Sequence, residues 1–170
     1  QGDTLNAAIG QGFVLATPLQ LATMAARLGG KGKIIQPRLV HKANNSPSAW
    51  KQMDIPEAYF EMVLAGMNAV TNVPGGTAYG SRIPDVRYAM MGKTGTSQVV
   101  SRKRYEKHPS PLTEWKSQNH ALFVGIAPVH DPKYAIGVVV EHGLAGSKAA
   151  APVGRDILWR AQEWESGKPS

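Results

Sequence analysis

A chain of 170 residues with 42% apolar side chains is long enough to enclose one ordinary core. The absence of cysteine excludes disulfides and thiolate metal sites, and the longest apolar stretches, such as Tyr134 to Val140, are far too short to cross a bilayer. A net charge of +7 would suit an anionic partner, but no compact basic helix is written in the sequence, so the excess reads first as a solvated basic face.

Gly10-Gln11-Gly12 reads as a loop. Thr17 then offers a capping hydroxyl and Pro18 a ring suited to the first helical position. The spacing of Leu21, Met24, Ala25 and Leu28 predicts a helix from Pro18 to Leu28, stopped by Gly29-Gly30 in the left-handed conformation. A short strand is expected over residues 34–40 and a polar connection over 42–54. Pro56 opens a second helix with Tyr59, Val63, Met67 and Val70 on one face, ending before Pro74-Gly75-Gly76. An apolar run over residues 86–91 leads into a strand with glycine at its centre, and a β-branched run over 96–100 leaves it. The charged segment 101–118, with Arg102-Lys103-Arg104 and Lys107, reads as a long mobile loop. Residues 121–127 and 134–141, joined by 128–133, form a hairpin in which Gly137 marks a bulge or close packing. A final helix from about Ala149 to Glu165 sets Val153, Ile157, Ala161 and Trp164 against the sheet. The sum is an α+β fold with at least three antiparallel strands packed by helices. There is no internal repeat, and a start at Gln1 without methionine suggests that a larger protein continues upstream.

The chemistry concentrates in Lys93-Thr94-Gly95-Thr96. Glycine in a strand bares the backbone where something must approach closely. A lysine and two threonine hydroxyls beside it form a clamp for a carboxylate, with Lys93 as point charge and the hydroxyls as donors. A polar edge strand would carry the same four letters, so the motif needs its context. A phosphate-binding P-loop is excluded, because it requires glycine five residues before Gly92, where Arg87 stands, and a helix afterwards. The five histidines, His41, His108, His120, His130 and His142, lack the paired spacing of a zinc helix and read as surface or packing residues. No metal and no cofactor is expected.

The context exists. Gln1-Gly2-Asp3-Thr4, Ile9-Gly10-Gln11-Gly12, Thr17-Pro18-Leu19-Gln20-Leu21-Ala22, Gly75-Gly76-Thr77-Ala78, the Lys93 motif, Phe123-Val124-Gly125-Ile126-Ala127 and Lys133-Tyr134-Ala135-Ile136 follow one another in an order that resembles the transpeptidase domain of class B penicillin-binding proteins. The opening phrase is more similar to the elongation-type branch, penicillin-binding protein two, than to the division-type branch. The resemblance implies part of a penicillin-binding, serine-β-lactamase-like transpeptidase fold.

Such a domain carries Ser-x-x-Lys, Ser-x-Asn and Lys-Thr/Ser-Gly in that order, with the serine as acyl nucleophile. Only the third stands in its proper context here. Ser48-Ala49-Trp50-Lys51 fits the first by letters but lies in a polar connection after Pro47, whereas the nucleophile should start a buried helix. Ser117-Gln118-Asn119 fits the second but follows the lysine motif instead of preceding it. The whole chain, 1–170, therefore resembles the C-terminal portion of one transpeptidase domain, inactive alone and completed by the N-terminal half that holds both missing motifs.

The resemblance further implies a serine-type D,D-transpeptidase that cross-links peptidoglycan stem peptides and is acylated by β-lactams. Lys93, Thr94, Gly95 and Thr96 would be the catalytic set, and Lys93, Thr94, Thr96 and Ser97 would bind substrate, the Thr96 amide serving as an oxyanion donor. Gly95 would give clearance for a peptide added along the strand. One sheet edge should be unpaired, with apolar surface left for another polypeptide segment. Segment 101–118 would either border the active site or be an inert insertion. The expected setting is the periplasmic face of the bacterial inner membrane, with an anchor outside this chain, proteins of the elongation machinery as partners, and no nucleic acid. Two other readings remain in view: a basic non-catalytic module for an anionic polymer, motivated by residues 102–107, and a serine β-lactamase relative, against which the opening phrases argue.

Overall fold

Thr17 closes a capping box with Gln20, its hydroxyl accepting from the Gln20 amide at 3.2 Å while the Gln20 side chain accepts from the Thr17 amide at 2.8 Å. Helix α1 (Pro18–Gly29) follows, as its capping sequence requires. The computed structural model describes residues 15–39, 50–99 and 111–167, with positions 4, 5 and 7. The left-handed turn after α1 falls on Lys31 (φ 50°) and Gly32 (φ 87°), not on Gly29-Gly30. Gly29 instead packs against Ile126, where a Cβ would come within 3.0 Å of a side-chain carbon. The strand expected over residues 34–40 reduces to a single bridge between Lys33 and Gln52, since Pro37 has no amide to extend a ladder. Val40 lies outside the described residues.

Helix α2 (Glu57–Asn72) starts after Pro56 and ends before Pro74, as the sequence indicates, but its inner face is Phe60, Met67 and Thr71. Tyr59 and Val63, expected inside, are 61% and 46% exposed. Two 3₁₀ turns (Tyr79–Ser81 and Val86–Tyr88) precede strand β1 (Met91–Ser97). The apolar run from Val86 is therefore a turn before it is a strand, because the Asp85 carboxylate accepts from the Arg87 amide at 3.0 Å and caps it. Within the segment read as a loop, residues 111–117 form helix α3 (Pro111–Ser117); residues 100–110, with the basic cluster, lie outside the described residues. Strands β2 (His120–Ala127) and β3 (Tyr134–Val140) form the expected hairpin, and the sheet runs β1-β2-β3, antiparallel throughout.

A π turn (Gly146–Ala150) leads into helix α4 (Ala151–Glu165). Helices cover both sheet faces. On one, Phe123, Val138 and Ala121 meet Leu158, Ala150 and Ala151 of the C-terminal elements. On the other, Met91 and Ile126 meet Ala25 of α1 and Met67 of α2. Gly137 is a point of close packing: a Cβ there would lie 2.6 Å from the Pro18 carbonyl oxygen. The inner stripe of α4 is Ala151, Gly154, Leu158 and Gln162. Val153, Ile157 and Trp164, expected against the sheet, face outward, Ile157 at 51% and Trp164 at 90% exposure. Gly154 explains the rotation, for a helix approaches the Phe123 ring most closely on its smallest side. Among the described residues the outer edge of β3 has no partner strand, nor does that of β1. No described helix is long and apolar enough to cross a membrane.

Candidate active site

Strand β1 gathers every residue singled out by the sequence, Lys93, Thr94, Gly95, Thr96 and Ser97, onto one edge. Its start is clamped by α2. The buried Thr71 hydroxyl and the Asn72 side-chain amide both donate to the Met90 carbonyl, at 2.9 and 2.8 Å. Pairing with β2 fixes the register: Lys93 opposite Val124, Thr94 opposite Phe123, Gly95 opposite Leu122. Because side chains alternate, Lys93, Gly95 and Ser97 belong to the face covered by α1 and α2, and Thr94 and Thr96 to the face covered by α4. An anion lying along the open edge can thus be met from both faces, by an ammonium over one and by hydroxyls over the other.

Lys93 is exposed, and its ammonium donates to the Thr94 carbonyl at 2.8 Å. No acidic side chain among the described residues pairs with it. The Thr94 hydroxyl lies 3.0 Å from the Thr77 hydroxyl, a contact between residues 17 apart that the Lys93 motif alone does not reveal. The side chain that Gly95 lacks would point at Leu122, 3.3 Å from its Cβ. Gly146 packs on the Gly95 backbone, where a Cβ would lie 2.5 Å from the Gly95 oxygen.

At the far end of β1, Ser97 faces His120 across the ladder. The His142 amide donates to His120 Nδ1 at 3.0 Å, and His142 Nδ1 sits 3.1 Å from the Gln118 carbonyl. The two imidazoles lie 4.9 Å apart, edge to face, and the Trp115 ring lies 4.4 Å from His142, tilted by 53°. These histidines are packing residues whose proximity, 22 positions apart, only the hairpin creates. His41 and His108 lie outside the described residues, among which no group of three or more metal-ligating side chains occurs.

Of the two letter matches set aside, Ser48 lies outside the described residues, and Lys51 stands in extended chain, its carbonyl accepting from the Ile34 amide at 2.7 Å. Ser117 ends α3, with its hydroxyl donating to the Glu114 carbonyl at 2.7 Å. An apolar groove of about 580 Å³, lined by Leu19, Met24, Pro37, Ile55 and Phe60, lies between α1 and α2 and includes no residue of β1.

Strand β1 is thus an edge strand that offers a cation, two hydroxyls and a bare backbone, on a sheet backed by helices on both faces. The chain belongs to the penicillin-binding protein transpeptidase family: the family described as "Penicillin binding protein transpeptidase domain" matches residues 1–159. The peptidoglycan D,D-transpeptidase MrdA of Haemophilus influenzae is 34% identical over 166 residues, which cover 93% of this chain and 25% of that protein. The chain thus spans about a quarter of the length of that curated relative. Among solved structures, Pseudomonas aeruginosa PBP2 in complex with WCK 5153 is similar with a TM-score of 0.74 and 34% identity, over 99% of this chain and 36% of the other. Helicobacter pylori PBP2 in complex with MreC gives a TM-score of 0.73 and 31% identity, over 98% and 28%. The resemblance to penicillin-binding protein two and the partial α+β transpeptidase fold are borne out.

Proposed function

We propose that this chain supplies the substrate-binding wall of a peptidoglycan D,D-transpeptidase of the elongation type, and that the acylating serine and the Ser-x-Asn loop come from polypeptide outside it. The observation that carries the reading is the open edge of β1 with Lys93, Thr94, Gly95 and Thr96 in sequence along it.

The serine attacks the carbonyl between the two D-alanines of a stem peptide. An ester forms, the peptide bond breaks, and the terminal D-alanine leaves with the transferred proton. An amine of a neighbouring stem then attacks the ester, closing the cross-link and returning the serine hydroxyl. In this scheme the peptide adds to the open edge of β1 as a further antiparallel strand. Lys93 supplies positive potential near the substrate carboxylate and in the proton-transfer network, and the Thr94 and Thr96 hydroxyls hold that carboxylate with Ser97 beside them. The Thr96 amide is one of two oxyanion donors; one such donor is typically worth about 3 kcal/mol of barrier. β-Lactams enter the same path and stall at the ester.

The unpaired edge of β3 and the outward Val153, Ile157 and Trp164 support a second polypeptide segment beside this chain. With an anchor outside the chain, the whole protein would work at the periplasmic face of the inner membrane. The MreC complex of the H. pylori relative supports an elongation-machinery partner for the whole protein.

Intact-mass measurement with a fluorescent penicillin tests the reading. The chain alone should carry no adduct, whereas the domain assembled with the serine-bearing segment should carry one adduct on that segment. Lys93→Ala should slow acylation by at least ten-fold. An adduct on Ser48, or unchanged acylation without Lys93, would refute the assignment.

A further inference from the structure

Thr77 and Thr94 are the only hydrogen-bonding partners of each other's hydroxyls among the described residues, at 3.0 Å. The loop that carries Thr77 is held hard against α2. Gly75 takes φ 90°, a conformation that disfavours any other residue. Gly76 leaves no room for a side chain, since a Cβ would sit 2.4 Å from the Val70 carbonyl oxygen. The Gly76 and Ala78 amides donate to the Val73 and Val70 carbonyls at 2.9 and 3.0 Å, and Ala78 is buried. The C-terminal turn of α2 also clamps Met90, just ahead of β1. One helix end therefore sets the positions of both hydroxyls.

A hydroxyl has one proton and two acceptor sites. If Thr94 gave its proton to Thr77, it would show only lone pairs to an arriving carboxylate. If Thr77 donates, Thr94 accepts and its own proton is aimed at the open edge. An anion at that edge selects the second arrangement, a chain from Thr77 through Thr94 to carboxylate, in which each bond polarises the next. We infer that Thr77 is a positioning residue for carboxylate recognition: its hydroxyl orients and polarises Thr94 so that β1 meets the substrate carboxylate with a proton already in place. This rests on the transpeptidase reading proposed above.

The test uses the assembled domain with three forms, wild type, Thr77→Val and Thr77→Ser, and with benzylpenicillin or its methyl ester as probe. Acylation kinetics separate the pre-covalent dissociation constant from the limiting acylation rate. Thr77→Val should raise the dissociation constant for benzylpenicillin about five-fold, the factor that one net hydrogen bond carries. The limiting rate and the melting temperature should hold, Thr77→Ser should restore binding, and the ester, which lacks the anion, should be indifferent to the substitution. A Thr77→Val form that matches wild type, an equal loss for acid and ester, or no rescue by serine would overturn the inference while Lys93→Ala still slows acylation. Failure of wild type to acylate, or indifference to Lys93→Ala, would overturn the underlying reading and this inference together.

Discussion

Gly146 opens the π turn beneath β1, and replacing it with alanine tests whether the site depends on backbone packing rather than on motif letters. The added Cβ would lie 2.3 Å from the Leu122 oxygen, 2.5 Å from the Gly95 oxygen and 3.0 Å from the Gly95 nitrogen. Those atoms belong to two paired strands and cannot swing aside as a side chain would. Restoring ordinary carbon–oxygen contact requires a displacement of about 1 Å, taken by the turn or by β1. Overpacking of this kind costs about 1–3 kcal/mol, or roughly 2–12 °C in melting temperature for a domain of this size. Where β1 takes the displacement, the Thr96 amide and the Lys93 ammonium move with it. A misplacement of about 1 Å can slow chemistry on the order of a hundred-fold. Thermal melts of the chain and penicillin acylation of the assembled domain measure both effects. A Gly146→Ala form with unchanged melting temperature and unchanged acylation would show that the turn does not support the strand.

Gly66 is the matching control, exposed in the middle of α2 with no atom within 4 Å of a Cβ placed there. Gly66→Ala should stabilise the chain by roughly 0.5–1 kcal/mol, read as a higher urea midpoint, and a lower midpoint would contradict the packing described. Tyr134 offers a pH test. Its phenol donates to the Glu165 carboxylate at 2.8 Å, and that bond, then burial, then the negative charge of Glu165 raise its pKa above the usual tyrosine value of about 10. The contribution of the pair is complete below the unfolded pKa and lost as pH climbs through the higher folded one. The stability advantage of wild type over Tyr134→Phe should therefore be flat from pH 8 to about 10 and shrink above it, in urea titrations; an advantage that grows with pH would refute the contact.

The sequence was most legible where local chemistry decides structure. Thr17, Pro18 and Gln20 announce α1 because a cap, a ring with fixed φ and a reciprocal amide act within one turn. The hairpin of β2 and β3 is equally local. Burial faces were harder to read, since they depend on partners distant in sequence. On α2, Thr71 looks polar, yet it is buried because its hydroxyl has the Met90 carbonyl to satisfy it. The site divides in the same way. Lys93 to Ser97 stand together as one contiguous stretch, and the roles proposed for them come from the family resemblance, whereas the Thr77 contact depends on how α2 and β1 are joined.

The misread face of α4 has a physical cause. A helix with one neighbour shows one apolar stripe, but α4 shows two: a small one of Ala151, Gly154 and Leu158 that admits the Phe123 ring, and a bulkier one of Val153, Ile157 and Trp164. Periodicity selects the bulkier stripe because it is more hydrophobic, while the sheet selects the smaller because close approach gains more contact. Exposed apolar surface of that extent is costly in water unless something covers it. Under the proposed function, the second stripe and the open edge of β3 meet the serine-bearing segment. On that proposal, the residues that mislead a periodicity argument are surface left for that segment to cover.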